Sequence, residues 1–187
     1  MTSKKITLST VFTLFRIFLV PFIGHGIVYG SWVYSCMLFI IAAATDVIDG
    51  ALARLLNERT TLGAYLDPLA DKVLILSCYT AFASTQLPCI IMPWWFVIVL
   101  SIKEAMLVIG AFVGKMIKVS YHVRPTLLGK ATMFLQTIFI VLLFACLIMG
   151  WNLSGFLYIC IWIITAVAFA SFVDYAVRGL QEMWLLL

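Results

Sequence analysis

The segments Asp46-Val47-Ile48-Asp49-Gly50-Ala51-Leu52-Ala53-Arg54 and Gly63-Ala64-Tyr65-Leu66-Asp67-Pro68-Leu69-Ala70-Asp71 hold four of the eight acidic residues of the chain. They lie inside a 187-residue sequence that is 65% hydrophobic and only 11% charged. Carboxylates are costly next to hydrocarbon, so a cluster of four in such a chain marks a functional site.

The flanks of the cluster decide the fold class. A soluble domain of this length cannot bury so much apolar surface, and the composition reads as an all-α integral membrane protein of one domain, residues 1–187. About 20 apolar residues cross a bilayer as a helix. Six transmembrane helices are predicted, at Val11–Val28, Trp32–Leu56, Ala64–Phe82, Pro93–Val113, Leu127–Met149 and Leu153–Val173. The breaks fall at Gly24, Gly26 and Gly30, at Asn57–Thr61, at Pro88 and Pro93, at Lys115–Pro125 and at Gly150–Asn152, the punctuation expected of turns. The first apolar run carries Arg16 and no small-residue cleavage site follows it, so it reads as a retained helix rather than a leader. The five cysteines form no CxxC and lie mostly in apolar runs; they read as small buried hydrophobes.

Charge placement predicts the topology. Six spans put both termini on one side, together with Lys4, Lys5, Arg54, Arg59, Lys115, Lys118, Arg124 and Arg178. The loops of the other side hold no Lys or Arg, and only His25 titrates there. The positive-inside rule then puts both termini and the aspartates in the cytoplasm, in a multi-pass protein of the inner (cytoplasmic) membrane. Trp32, Trp94, Trp95 and Trp151 fall at the opposite ends, as an aromatic belt does. The net charge of +4 is modest and does not suggest a nucleic acid; anionic headgroups and phosphates are the natural partners of the basic residues.

Helical spacing puts Asp46, Asp49, Gly50, Ala53 and Arg54 on one face, and Asp67 and Asp71 on one face of the next helix. Four converging carboxylates repel one another unless a cation neutralises them. Oxygen-only ligands suit hard divalent ions, Mg²⁺ first with Mn²⁺ or Ca²⁺ as alternatives, and four carboxylates suffice for two ions. A carboxylate-held metal pair suits phosphoryl chemistry. Gly50 and Ala53 leave room for a flat or phosphate group, and Arg54 offers a bidentate fork to phosphate.

The run from Asp46 to Asp71, with Asp46, Asp49, Gly50, Ala53, Arg54, Gly63, Asp67 and Asp71 as its defined positions, resembles the signature of the CDP-alcohol phosphatidyltransferases. Length, six spans and cytoplasmic termini are similar to that family too. The resemblance implies that a CDP-linked lipid, CDP-diacylglycerol, binds at the cytoplasmic leaflet with its diphosphate on two divalent metal ions. An alcohol attacks the β-phosphorus and CMP leaves. It implies Asp46, Asp49, Asp67 and Asp71 as metal ligands, Asp71 as the base, and Gly50, Ala53, Arg54 and Gly63 around the nucleotide. A homodimer is implied by the family alone.

Thr13 and Arg16 share a helix face, and Thr13-Leu14-Phe15-Arg16 is similar to a string preceding the signature in bacterial members, though Ser9-Thr10 stands where Pro-Asn usually leads it. That similarity assigns Thr13 and Arg16 to the CDP-lipid; the alternative is an arginine snorkelling to headgroups. Lys103, Arg124 and Lys130 are candidates to hold an anionic acceptor, and Lys103 with Glu104 reads alternatively as a structural charge pair. The region around Lys103 and Glu104 is similar to members that make phosphatidylglycerophosphate, with Lys103 and Ala111 where two arginines are usual. Arg124 through Lys130 and Phe134-Leu135-Gln136 look more like the cardiolipin-forming members, and Asp174-Tyr175 with Arg178 like the former again. The resemblance therefore points to glycerol 3-phosphate as acceptor, a small phosphorylated alcohol, with phosphatidylglycerol and cardiolipin synthesis as the second reading. His25 and His122 read as surface residues. Outside the enzymes, a cation transporter is the competing class, but its sites lie near the bilayer midplane between repeats, and no repeat is visible.

Overall fold

A computed structural model describes the backbone of residues 8–56, 63–116 and 127–184, and the side chains of residues 11–45, 69–110 and 127–177. Among the described residues all regular structure is helical: α1 (Leu8–Val28), α2 (Trp32–Leu56), α3 (Gly63–Ser84), α4 (Trp94–Met116), α5 (Leu127–Met149) and α6 (Ser154–Trp184). The expected spans and these helices coincide closely. The largest departure is α6, which continues eleven residues past the expected end at Val173. Hydropathy marks where hydrocarbon ends, whereas helical hydrogen bonding ends only at a breaker. No proline interrupts Asp174 to Trp184, so the 31-residue helix runs on, roughly 46 Å in all.

Gly24 and Gly26, expected as breaks, sit inside α1. The break is at Gly30, whose φ of 74° is open to glycine and strained for other residues. Ser31 N–H donates to the Gly26 carbonyl at 2.8 Å and Gly30 N–H to the Ile27 carbonyl at 3.2 Å, a Schellman cap. Gly150 (φ 68°) closes α5 likewise, with Trp151 N–H on the Cys146 carbonyl at 3.0 Å.

The chain forms two compact units, one of α1, α2, α3 and Leu147–Met149, the other running from Leu87 to Cys146 and from Gly150 onward. In the first unit α1 packs against both α2 and α3. Thr13, Arg16, Leu19, Ile23 and Ile27 form its buried stripe, at helical spacing. Val11, Phe15, Phe18 and Phe22 are exposed on the other side. An apolar exterior over an interior containing Thr13 and Arg16 is the arrangement lipid favours. Close approach of α1 and α2 depends on Gly26, where a Cβ would overlap Ser35 Oγ and crowd Tyr34. The buried Ser35 hydroxyl donates to the Ile23 carbonyl at 3.2 Å, locking the contact.

In the second unit α4 packs on α6. The Phe96 ring meets Phe139 edge-on at 6.3 Å, and Trp95 lies 5.2 Å from Trp162. The segment before α4 is buried at Leu87, Cys89, Ile90 and Met92, and the Tyr158 hydroxyl donates to the Ile91 carbonyl at 3.1 Å. All five cysteines are free thiols, three of them buried. Burial above all, with the Cys146 thiol nearby, pushes the Cys89 thiol up, so it stays protonated at neutral pH.

Three helical stretches are long and apolar enough to cross a membrane, Val11–Val28, Leu127–Met149 and Ser154–Val177; Trp32–Thr45 is a shorter apolar stretch. These stretches, all among the described residues, make the protein a membrane protein.

Gly26→Ala lowers the melting temperature in detergent, with a loss of about 1–3 kcal/mol from overpacking. Combined with Ser35→Ala, which removes the nearest clashing atom, the loss is smaller than the sum of the two single substitutions. Additive losses would show that Gly26 and Ser35 do not set the α1–α2 approach.

Candidate functional site

The contact of Gly26 with Ser35 fixes the register of α1 against α2. Ten residues from Gly26 toward the start of α1 is Arg16, and ten residues from Ser35 along α2 is Thr45, immediately before Asp46. The two helices run in opposite directions through the turn at Tyr29–Ser31, so Arg16 and the start of the aspartate run lie at one level. Asp71 is eight residues into α3, as Arg16 is eight residues into α1, about 12 Å from each helix start. The contact the structure makes at that level is an ion pair: Arg16 donates from a guanidinium nitrogen to the Asp71 carboxylate.

Burial at this pair is asymmetric. The Arg16 side chain has 0% exposure and that of Asp71 26%. Arg16 thus approaches Asp71 from the protein interior, and the carboxylate retains an open side. Thr13, one turn earlier on α1, is also fully buried. The snorkelling alternative for Arg16 is overturned: the side chain is inside the helix packing rather than extended to headgroups.

Asp46, Asp49, Gly50, Ala53 and Arg54 lie on α2 and Gly63 and Asp67 on the first turns of α3, as expected; their side chains fall outside the described residues. Asp46 and Asp49 are ten and seven residues before the end of α2, and Asp67 four residues after the start of α3. In distance those offsets are about 15, 10 and 6 Å from the ends that residues 57–62 connect. The four aspartates therefore occupy one end of this unit, in a band that includes Arg16. An oxygen-only donor set fits a hard divalent cation and excludes a soft thiolate-type site. Among the described residues no group of three metal-type side chains occurs, and three of the four aspartates are outside that search.

The second unit keeps its own buried polar groups. Lys103 and Glu104 are 4% and 5% exposed, and Lys103 Nζ donates to Glu104 Oε1 at 2.7 Å. Neighbours in a helix do not ordinarily face one another. This pair forms because an ammonium buried in apolar surroundings needs a counter-charge. On α5 the buried stripe begins at Thr132 and Gln136 before turning apolar at Phe139, Ile140 and Leu143. On α6 it passes Leu157, Ile161, Ile164 and Ala168 and ends polar at Ser171. The Ser171 hydroxyl has no hydrogen-bond partner among the described residues. Thr132, Gln136 and Ser171 each fall on the buried stripe of their helix where a hydrophobe is expected. Lys130 is exposed, Arg124 falls outside the described residues, and Ala111 lies on α4 with its side chain likewise outside them.

The family model for CDP-alcohol phosphatidyltransferase matches residues 6–173, and the chain belongs to that family. It is similar to the CDP-diacylglycerol–glycerol-3-phosphate 3-phosphatidyltransferase of Wigglesworthia glossinidia brevipalpis, 39% identical over 116 residues, 57% of this chain and 63% of that protein. Proteins of the same name from Salmonella choleraesuis (strain SC-B67) and Escherichia coli (strain K12) are 45% and 43% identical over 74 residues, 38% of this chain and 41% of each. The chain thus spans less than two thirds of the length of these curated relatives.

If the Lys103–Glu104 pair is internally compensated, Glu104→Gln strands a buried ammonium and lowers stability by about 3–5 kcal/mol. Replacing both residues by apolar side chains of similar size recovers most of that loss. A thermal melt in which the double variant is worse than Glu104→Gln alone would contradict this account.

Proposed function

We propose that the protein transfers a phosphatidyl group from CDP-diacylglycerol to glycerol 3-phosphate, giving phosphatidylglycerophosphate and CMP. The observation that carries this reading is the full aspartate signature at one end of a membrane helix unit, in a chain matched by the family model from residue 6 to 173. The names of the three relatives support glycerol 3-phosphate as the acceptor. The whole chain acts as a single domain.

In this mechanism Asp46, Asp49, Asp67 and Asp71 would hold two Mg²⁺ ions, with Mn²⁺ as the substitute, and these would neutralise the diphosphate and polarise its oxygens. The chain's own residues do the rest. Gly50, Ala53, Arg54 and Gly63 are assigned to the nucleotide, Arg54 as a donor to phosphate. Thr13 is assigned to the CDP-lipid, and Lys103, Arg124 and Lys130 to the anionic acceptor. Asp71, partly open to its surroundings, accepts the proton of the acceptor hydroxyl as that oxygen bonds to the β-phosphorus. The bond from the β-phosphorus to the bridging oxygen breaks, and CMP departs with the electron pair.

All six helices span the inner membrane, both termini are cytoplasmic, and the site faces the cytoplasm. The distribution of Lys and Arg supports this topology. A homodimer is the assembly we assign.

Purified protein with Mg²⁺ and CDP-diacylglycerol releases CMP when given glycerol 3-phosphate and stops when the metal is chelated. Asp71→Asn lowers turnover by about 10²–10⁴, the usual worth of a general base. Labelled CDP-diacylglycerol offered in turn with glycerol 3-phosphate, phosphatidylglycerol, inositol phosphate and serine identifies the acceptor by product. Cardiolipin as the product would replace this reading by the second one suggested around Arg124–Lys130. No CMP with any alcohol would leave a transporter as the better class. For the topology, a single cysteine at Asn152 in a cysteine-free background reacts with an impermeant reagent on intact cells, and one at Arg178 only after lysis. The reverse pattern would invert the orientation.

A further inference from the structure

We infer that Arg16 is a positioning residue for Asp71, holding the catalytic carboxylate in place from α1 rather than contacting the lipid phosphates itself. This rests on the function proposed above.

Three observations lead there. First, Arg16 is the bulkiest side chain fully buried in the described residues, and it has no surface to offer a phosphate arriving from outside. Second, its guanidinium reaches across from α1 to α3 to donate to Asp71, a residue 55 positions away in sequence. Third, the carboxylate it binds is the partly open one, at 26% exposure. A buried donor behind a carboxylate that is open in front restricts the carboxylate's rotation without blocking its approach to a substrate. The planar fork of arginine is suited to this because it fixes direction as well as charge; lysine offers a point charge on a flexible stem. Groups that orient a reacting side chain from behind are commonly worth about 10–100-fold in activity.

Three roles for Arg16 predict different kinetics. A lipid-phosphate ligand would raise KM for CDP-diacylglycerol on substitution. A purely structural tie between α1 and α3 would alter stability and leave turnover of the folded protein intact. A positioning residue lowers kcat with little change in KM.

The test compares full-length wild type, Arg16→Lys and Arg16→Met in detergent, reading CMP release and thermal melting together. Arg16→Lys keeps a melting temperature close to wild type and a KM within about twofold, while kcat falls by about 10–100-fold. Arg16→Met falls further, so the conservative change rescues part of the rate. Independently of activity, Arg16→Met and Asp71→Asn combined lower the melting temperature by less than the sum of their separate effects. Undiminished kcat in folded Arg16→Lys and Arg16→Met overturns the positioning role, as does a raised KM at unchanged kcat. Strictly additive melting shifts overturn the contact itself. Wild type that releases no CMP with any acceptor overturns the proposed function and this role with it, and that result is distinct because it appears before any substitution is made.

Discussion

A guanidinium with no exposed surface, inside a bundle whose outside is lipid-like, dictates much about its surroundings. Arg16 must be met by a carboxylate, and Asp71 meets it. Removing either partner of a buried pair costs several times what the pair contributes, on the order of 3–5 kcal/mol. The pair therefore ties the rotation of α1 to that of α3 at the level of Asp71.

The opposite end of the same unit is fixed by a different kind of force. At Gly26 and Ser35 two helices approach until a missing Cβ and a hydroxyl share the space. Lipid supplies no hydrophobic drive between helices, so close packing and a few hydrogen bonds decide how they associate. A packed end and a charged end define the line of α1. Thr45 then falls level with Arg16, and Asp46 follows it. Dispersion sets the register, and electrostatics uses it.

Helix positions and the identity of the aspartate band were legible in the sequence because both rest on spacing and on the scarcity of charge. Each helix from α1 to α5 was readable within a few residues. The end of α6 was not, since hydropathy falls at Val173 while backbone hydrogen bonding does not. Nor was the function of Gly26 readable: a glycine that permits a helix contact and one that breaks a helix look alike in one dimension, and of Gly24, Gly26 and Gly30 it is Gly30 that carries the left-handed backbone. The pairing of Arg16 with Asp71 was hidden for the same reason. Periodicity puts a residue on a face, but the partner of that face is set by tertiary packing 55 residues away.

The two buried cations among the described residues illustrate how burial alone fails to mark a functional neighbourhood. Lys103 and Arg16 are both enclosed, and both have a carboxylate beside them. Lys103 takes its counter-charge from the next residue on its own helix, and the pair has 4% and 6% side-chain exposure. Such a pair balances its charge within one helix. Arg16 instead takes its counter-charge from another helix, and that partner keeps a quarter of its surface open. The first arrangement makes a charge tolerable inside apolar packing. The second leaves a carboxylate oriented and accessible at once, which is what the base role proposed for Asp71 demands.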